Sequence, residues 1–202
     1  MVKSLGLPAD PAAVVPLEFE QMRSLDSVLD RIFVLHAVSA VAHGFSAQRS
    51  EAWIQQERLG GHLTPDEASV LEGANTDFEP YREQVEALWA LFWLAGLTLE
   101  LDPVEGCPDT FVQLLPDIRL EPMPTTLAWR SRARLRTRAE VQRAGYAAAC
   151  LVWAFDQAKA SGRPTPQLQS GLWVRHRFNA LAWASGSQDW AQPVAVHRKW
   201  WK

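Results

Sequence analysis

Glu86-Ala87-Leu88-Trp89-Ala90-Leu91-Phe92-Trp93-Leu94-Ala95-Gly96-Leu97 contains the longest apolar run of the chain, and its reading decides the fold. Phe78, Tyr81, Val85, Leu88 and Phe92 lie on one helical stripe, and after Val85 the pattern is apolar nearly all round. A helix with one apolar stripe lies on a surface, whereas one that is apolar on every side is surrounded by protein. The spacing predicts a helix over residues 77–96. It tolerates Pro80 in its first turn, is buried centrally in its second half and stops at Gly96.

Working outward, Leu25, Val28, Leu29, Ile32, Phe33, Leu35 and Val38 predict a helix that starts near Leu17 or Leu25 and runs to His43, with Gly44 as its stop. Ser46 can cap a second helix carrying Trp53 and Ile54, closed by Gly60-Gly61. Thr64-Pro65-Asp66-Glu67 combines an N-cap, a proline at the first helical position and a glutamate three residues after the cap, and predicts a helix to about Glu72. Thr137 and Glu140 form a second capping box that opens a helix over 138–161, ended by Gly162 and Pro164. A last helix covers about 169–184 and stops at Ser185-Gly186, and Trp93, Trp153 and Trp183 are expected to share one core. Five prolines in residues 98–128 predict a meandering connection, with one helical turn near 109–115. Only residues 129–135 carry a strand-like pattern. The expected architecture is a single all-α domain over 17–190, with an irregular arm at 1–16 and a basic, Trp-rich tail at 191–202.

The bulk composition narrows the class further. A chain of 202 residues with 48% apolar and 21% charged residues is globular and can bury a core without staples. Cys107 and Cys150 belong to no C-x-x-C pair, so a disulfide framework and a zinc site are not expected. The N-terminal stretch is broken by Pro8, Asp10, Pro11 and Pro16 and makes a poor signal peptide. The run Ala87–Leu97 is shorter than the roughly 20 residues that span a bilayer. A cytoplasmic protein without a membrane span is the expectation. Residues 1–101 hold 6 Lys and Arg against 15 Asp and Glu, and residues 102–202 hold 14 against 8, so net charges of −9 and +6 face each other within the chain.

Several short motifs recur in a recognisable order. They are Glu86, Ala87, Leu88, Leu91, Trp93, Gly96 and Leu97; Leu99, Pro103, Cys107 and Asp109; Leu135, Arg136 and Glu140; Trp153-Ala154; and Arg177, Ala180, Leu181, Trp183 and Trp190. Over about residues 47–190 the chain resembles the bacterial family DUF4272, a domain of unknown function. Its Trp and Leu framework is kept, while His176, Ala182, Ala149-Cys150 and Ala191 stand where the family has Glu, Asn, Tyr-Arg and Asp. Among the residues of these motifs, Arg177 and Arg136 are the expected partners of Glu86, because a carboxylate at the mouth of the most apolar helix needs a counter-charge or a proton.

No H-x-x-x-H, P-loop, G-x-G-x-x-G or G-x-S-x-G is present, and no metal or cofactor is expected. The anomaly is Trp129-Arg130-Ser131-Arg132-Ala133-Arg134-Leu135-Arg136-Thr137-Arg138, with arginine at every second position. In an extended chain all five would project to one side, opposite Trp129, Ala133 and Leu135. Such an edge either neutralises the acidic first half or binds an acidic protein partner through Trp129, Arg130, Arg132 and Arg134. Nucleic acid is not expected, because no aromatic residue beyond Trp129 is interleaved for stacking. The functional expectation is an intracellular, non-catalytic binding protein of immunity or antitoxin type that occludes its partner. The alternative is a hydrolase-like enzyme built from dispersed residues such as Glu86, His176 and Arg177.

Overall fold

A computed structural model describes residues 2–10, 12, 14, 17, 21–163 and 171–190. The helices are α1 (Leu25–Ala42), α2 (Ala47–Gln56), α3 (Pro65–Leu71), α4 (Glu79–Arg82), α5 (Val85–Leu94), α6 (Leu127–Arg132), α7 (Arg138–Ala160) and α8 (Leu172–Ala184). Further 3-10 turns lie at Val2–Leu5, Gly60–His62 and Asp109–Leu114, and the described residues contain no strand. The chain is an all-α single domain. The expected basic tail, 191–202, lies outside the described residues.

The centre of the stack is α5, in which every residue from Glu86 to Leu94 is buried. It packs against both α1 and α8; α7 packs on α8, and α2 and α3 pack on α1. Each fully buried Leu or Phe on such a helix contributes about 1.5–3 kcal/mol relative to exposure. Trp93 and Trp183 are buried in this core, and Trp153 is half-buried against it.

Local chemistry sets the boundaries. Ser24 caps α1 by accepting from Ser27 N at 3.2 Å, so the helix begins at Leu25 and not at Leu17. At its other end Phe45 N reaches back to Ala40 O at 2.9 Å across Gly44, whose φ is +92°. That six-to-one bond needs a left-handed residue after the helix, and glycine supplies it without steric cost. Both expected capping boxes form, at Thr64/Glu67 and Thr137/Glu140.

The helix expected over 77–96 is split. Glu86 N bonds to Glu83 O at 3.2 Å, a three-residue step that tightens the chain at Glu83-Gln84 and separates α4 from α5. The extended segment expected at 129–135 is corrected as well. Residues Leu127–Arg132 are helical, and only the following stretch is extended. There Arg134 N and Arg136 N donate to Ala95 O and Leu94 O, each at 2.9 Å, so the chain satisfies the orphan carbonyls at the end of α5 instead of pairing in a sheet.

The N-terminal arm joins the core through Leu7, Val14 and Leu17, all buried. Leu17 lies over Gly145 of α7, where a β-carbon would come within 2.0 Å of the leucine Cδ1. The two ends of the domain meet at Arg23. Its backbone N–H donates to Ala184 O and its Nε to Trp183 O, both at 2.9 Å, and its guanidinium lies 4.6 Å from the centroid of the Trp183 ring.

Candidate functional site

Glu86 in the first turn of α5 and Arg177 in the middle of α8 meet at the centre of the stack. Arg177 Nε donates to Glu86 Oε2 at 2.8 Å, and the side chains are 3% and 11% exposed. Cys107 N donates to the other carboxylate oxygen at 2.8 Å. The terminal guanidinium nitrogens of Arg177 donate to Asp102 O and Glu105 O. The rings of Trp89 and Trp173 flank the guanidinium, with centroids 4.4 and 4.3 Å from its carbon. Burial pulls the Arg177 guanidinium below its ordinary value, and Glu86 opposes that shift.

The pair therefore works as a clamp. It fastens the loop of residues 102–107 across α5 and α8, and every nitrogen of the guanidinium and both oxygens of the carboxylate are engaged. Each carboxylate oxygen accepts one hydrogen bond and each guanidinium nitrogen donates one, so the pair is committed to holding the loop. The two tryptophans that sandwich Arg177 are not flagged by any motif. Their only sequence signal is spacing, with Trp89 three residues after Glu86 and Trp173 four before Arg177, so each shares a helix face with its half of the pair.

The other residues expected near this site go elsewhere. His176 Nε2 sits 3.4 Å from Glu83 Oε2, not at Glu86, and burial lowers its pKa while Glu83 opposes. Arg136 bonds Glu140 at 3.3 Å, Trp93 O at 3.0 Å, and Thr98 O and Leu99 O at 2.9 Å, and so caps the end of α5. Burial, reinforced by Glu86, pushes the Cys107 thiol up to about 12, so it is protonated and unreactive at neutral pH. His36 is buried and neutral, brought down to about 4, and its Nε2 donates to Pro116 O at 2.8 Å. Two cavities flank the clamp. One of about 420 Å³ is lined by His36, His43, Glu86, Cys107 and Phe111, and one of about 410 Å³ by Trp93, Arg143, Ala147, Arg177 and Leu181. No group of three metal-ligating side chains exists among the described residues.

The arginine segment divides in two. Arg130 turns inward, with an ion pair to Asp30, a 3.0 Å bond to Thr126 Oγ1 and its guanidinium 5.4 Å from the Phe33 ring centroid. Arg132 and Arg134 stay at the surface. Among the described residues, the Arg132 side chain bonds only Ala128 O, and the Arg134 side chain only Ser131 O and Ala133 O. Neither has a carboxylate partner there. Trp129 Nε1 donates to Leu114 O at 2.7 Å, which joins α6 to the 3-10 turn at Asp109–Leu114. Arg132 lies 6.0 Å from the Trp129 ring centroid. Around this junction Leu127 is 69%, Val112 64% and Leu114 45% exposed. The apolar members of this face came from the proline-rich connection, where periodicity carries no signal.

Comparison with known proteins adds a family model, described as a domain of unknown function, DUF4272, that matches residues 1–193. The match takes in the N-terminal arm, in keeping with the burial of Leu7, Val14 and Leu17. No curated protein and no solved structure matches the chain.

Proposed function

The chain belongs to the DUF4272 family, and from that premise we propose that it is a non-catalytic binding protein, acting inside the cell, that occludes an acidic protein partner in the manner of an immunity protein or antitoxin. The carrying observation is the face made by α6 and the 109–114 turn. Arg132 and Arg134 have no carboxylate partner among the described residues; Arg132 lies near the half-buried Trp129, which bonds Leu114 O, and Leu127, Val112 and Leu114 on these two elements are exposed. Uncompensated arginine next to exposed apolar and aromatic side chains is the composition of an interface core and rim. Such charges would steer an acidic partner and lose their effect as salt shortens the Debye length to roughly 8 Å at physiological ionic strength. The commitment of Glu86 and Arg177 to the 102–107 loop and the raised pKa of the Cys107 thiol favour binding over hydrolysis.

The test places a photo-crosslinking amino acid at Leu127, and in a control chain at Lys159 on the exposed end of α7, in the source cell. One acidic protein captured at Leu127, absent at Lys159 and lost in Arg132→Ala/Arg134→Ala, is the expected result. Equal capture at both positions, or capture that survives the double substitution, would sink the proposal. Arg130→Ala serves as the contrast. It should lower stability because its partners are internal, whereas the double variant should melt with the parent.

A further inference from the structure

The cavity between α5, α7, α8 and residues 101–103 has a charge pattern that the proposed partner face does not use. Its volume is about 410 Å³, within the range that holds small organic ligands. Trp93, Leu101, Val174 and Leu181 give it apolar walls. It exists because α7 presents alanine at positions 144, 147 and 148, one face of the helix, where larger side chains would fill the space.

Three charged residues line it, and two are neutralised within the protein. Arg177 is held by Glu86. Glu140 gives one oxygen to Arg136 and the other to Thr137. Glu140 is therefore not the counter-ion of Arg143, although it stands three residues earlier on the same helix. Arg143 bonds Ala139 O through Nε at 3.2 Å, and its two terminal nitrogens have no acceptor among the described residues. An apolar cavity whose unmatched polar group is one guanidinium fork suits a molecule with an apolar body and a single carboxylate, the anion whose two oxygens match that fork.

We infer that this cavity binds a small amphipathic carboxylate, with its apolar body against Trp93, Val174 and Leu181 and its carboxylate on Arg143. The inference stands apart from the partner-binding face and does not depend on it.

Titration calorimetry of the full chain with decanoate, and with decanol as the uncharged counterpart, tests it. Decanoate should bind with one-to-one stoichiometry and about tenfold or more tightly than decanol, the difference a charge-assisted hydrogen bond supplies. Arg143→Gln, at an exposed position, should remove that difference. Ala147→Phe should abolish binding of both by filling the cavity, and its circular dichroism and melting temperature report whether the fold is kept. Arg143→Gln provides the decision without touching the walls. No measurable decanoate binding by the parent up to millimolar concentration overturns the assignment. So does binding no tighter than that of decanol, or binding unchanged in Arg143→Gln.

Discussion

Replacing Glu86 by glutamine removes one negative charge and leaves the volume of the side chain nearly unchanged. In the parent the two carboxylate oxygens accept from Arg177 Nε and Cys107 N, each at 2.8 Å. An amide has one acceptor oxygen, so one of those two donors faces an NH₂ group instead. The guanidinium beneath it stays 3% exposed and loses its counter-charge, while its contacts with Trp89, Trp173 and the loop carbonyls remain. Breaking a buried pair from one side costs about 3–5 kcal/mol. Against a total stability of about 5–15 kcal/mol for a domain, that is a large fraction. In a chain of this size each kcal/mol moves the melting temperature by about 2–4 °C, so Glu86→Gln should melt roughly 6–20 °C below the parent. Scanning calorimetry gives the shift, and amide exchange of residues 102–107 should show the loop opening first. A melting temperature within about 2 °C of the parent, with the loop still protected, would refute the view that the pair is the fastener of this loop.

Three further outcomes follow from the geometry. His36 is neutral in the fold, with its pKa lowered to about 4 by burial against an ordinary 6.5, so its contribution is complete above about 6.5 and is lost as pH falls toward 4. The gap is worth roughly 3 kcal/mol. Urea midpoints from pH 7 to pH 4 should fall more steeply for the parent than for His36→Gln, and parallel profiles would count against the assignment. Gly96 has φ of +68°, and a β-carbon there would sit 2.7 Å from Arg134 O. Gly96→Ala should therefore cost about 2–4 kcal/mol in thermal unfolding, through left-handed strain and a clash with fixed backbone together. With its thiol pushed up to about 12 from 9.0, Cys107 should alkylate at pH 8 more than about tenfold more slowly than an unperturbed cysteine, as followed by mass spectrometry.

What could be read from the sequence was whatever repeats or caps locally. Ser46, Thr64 and Thr137 each caps the helix that follows it, and Gly44, Gly96 and Gly162 stand just past helix ends in the left-handed region. The all-round apolar character of residues after Val85 correctly implied a surrounded helix. The split at Glu83-Gln84 was hidden because residues on both sides of it continue the same stripe. The arginine segment misled for a physical reason. Alternation in sequence implies one edge only if the chain is extended, and here Trp129 N and Arg130 N are taken by Thr126 O in the first turn of α6. Arg130 consequently faces Asp30 while Arg132 and Arg134 face outward. The clamp on the 102–107 loop is made through main-chain carbonyls, which no side-chain motif encodes.

The burial of α5 also has a consequence for how the chain is made. This helix has no polar face to show to water, yet the helix that covers it, α8, lies close to 80 residues further along. At translation rates of about 5–20 residues per second, α5 emerges from the ribosome roughly 4–16 s before its cover exists. During that interval α1 and the segments around it, and later Phe111 against Phe92 and Arg136 over Trp93, are available to shield the helix, while its α8 side stays open. The nascent chain thus carries its most aggregation-prone element half-dressed until α8 emerges, and slowing translation between residues 97 and 171 should lower soluble yield, while supplying a trigger-factor-type chaperone should restore it.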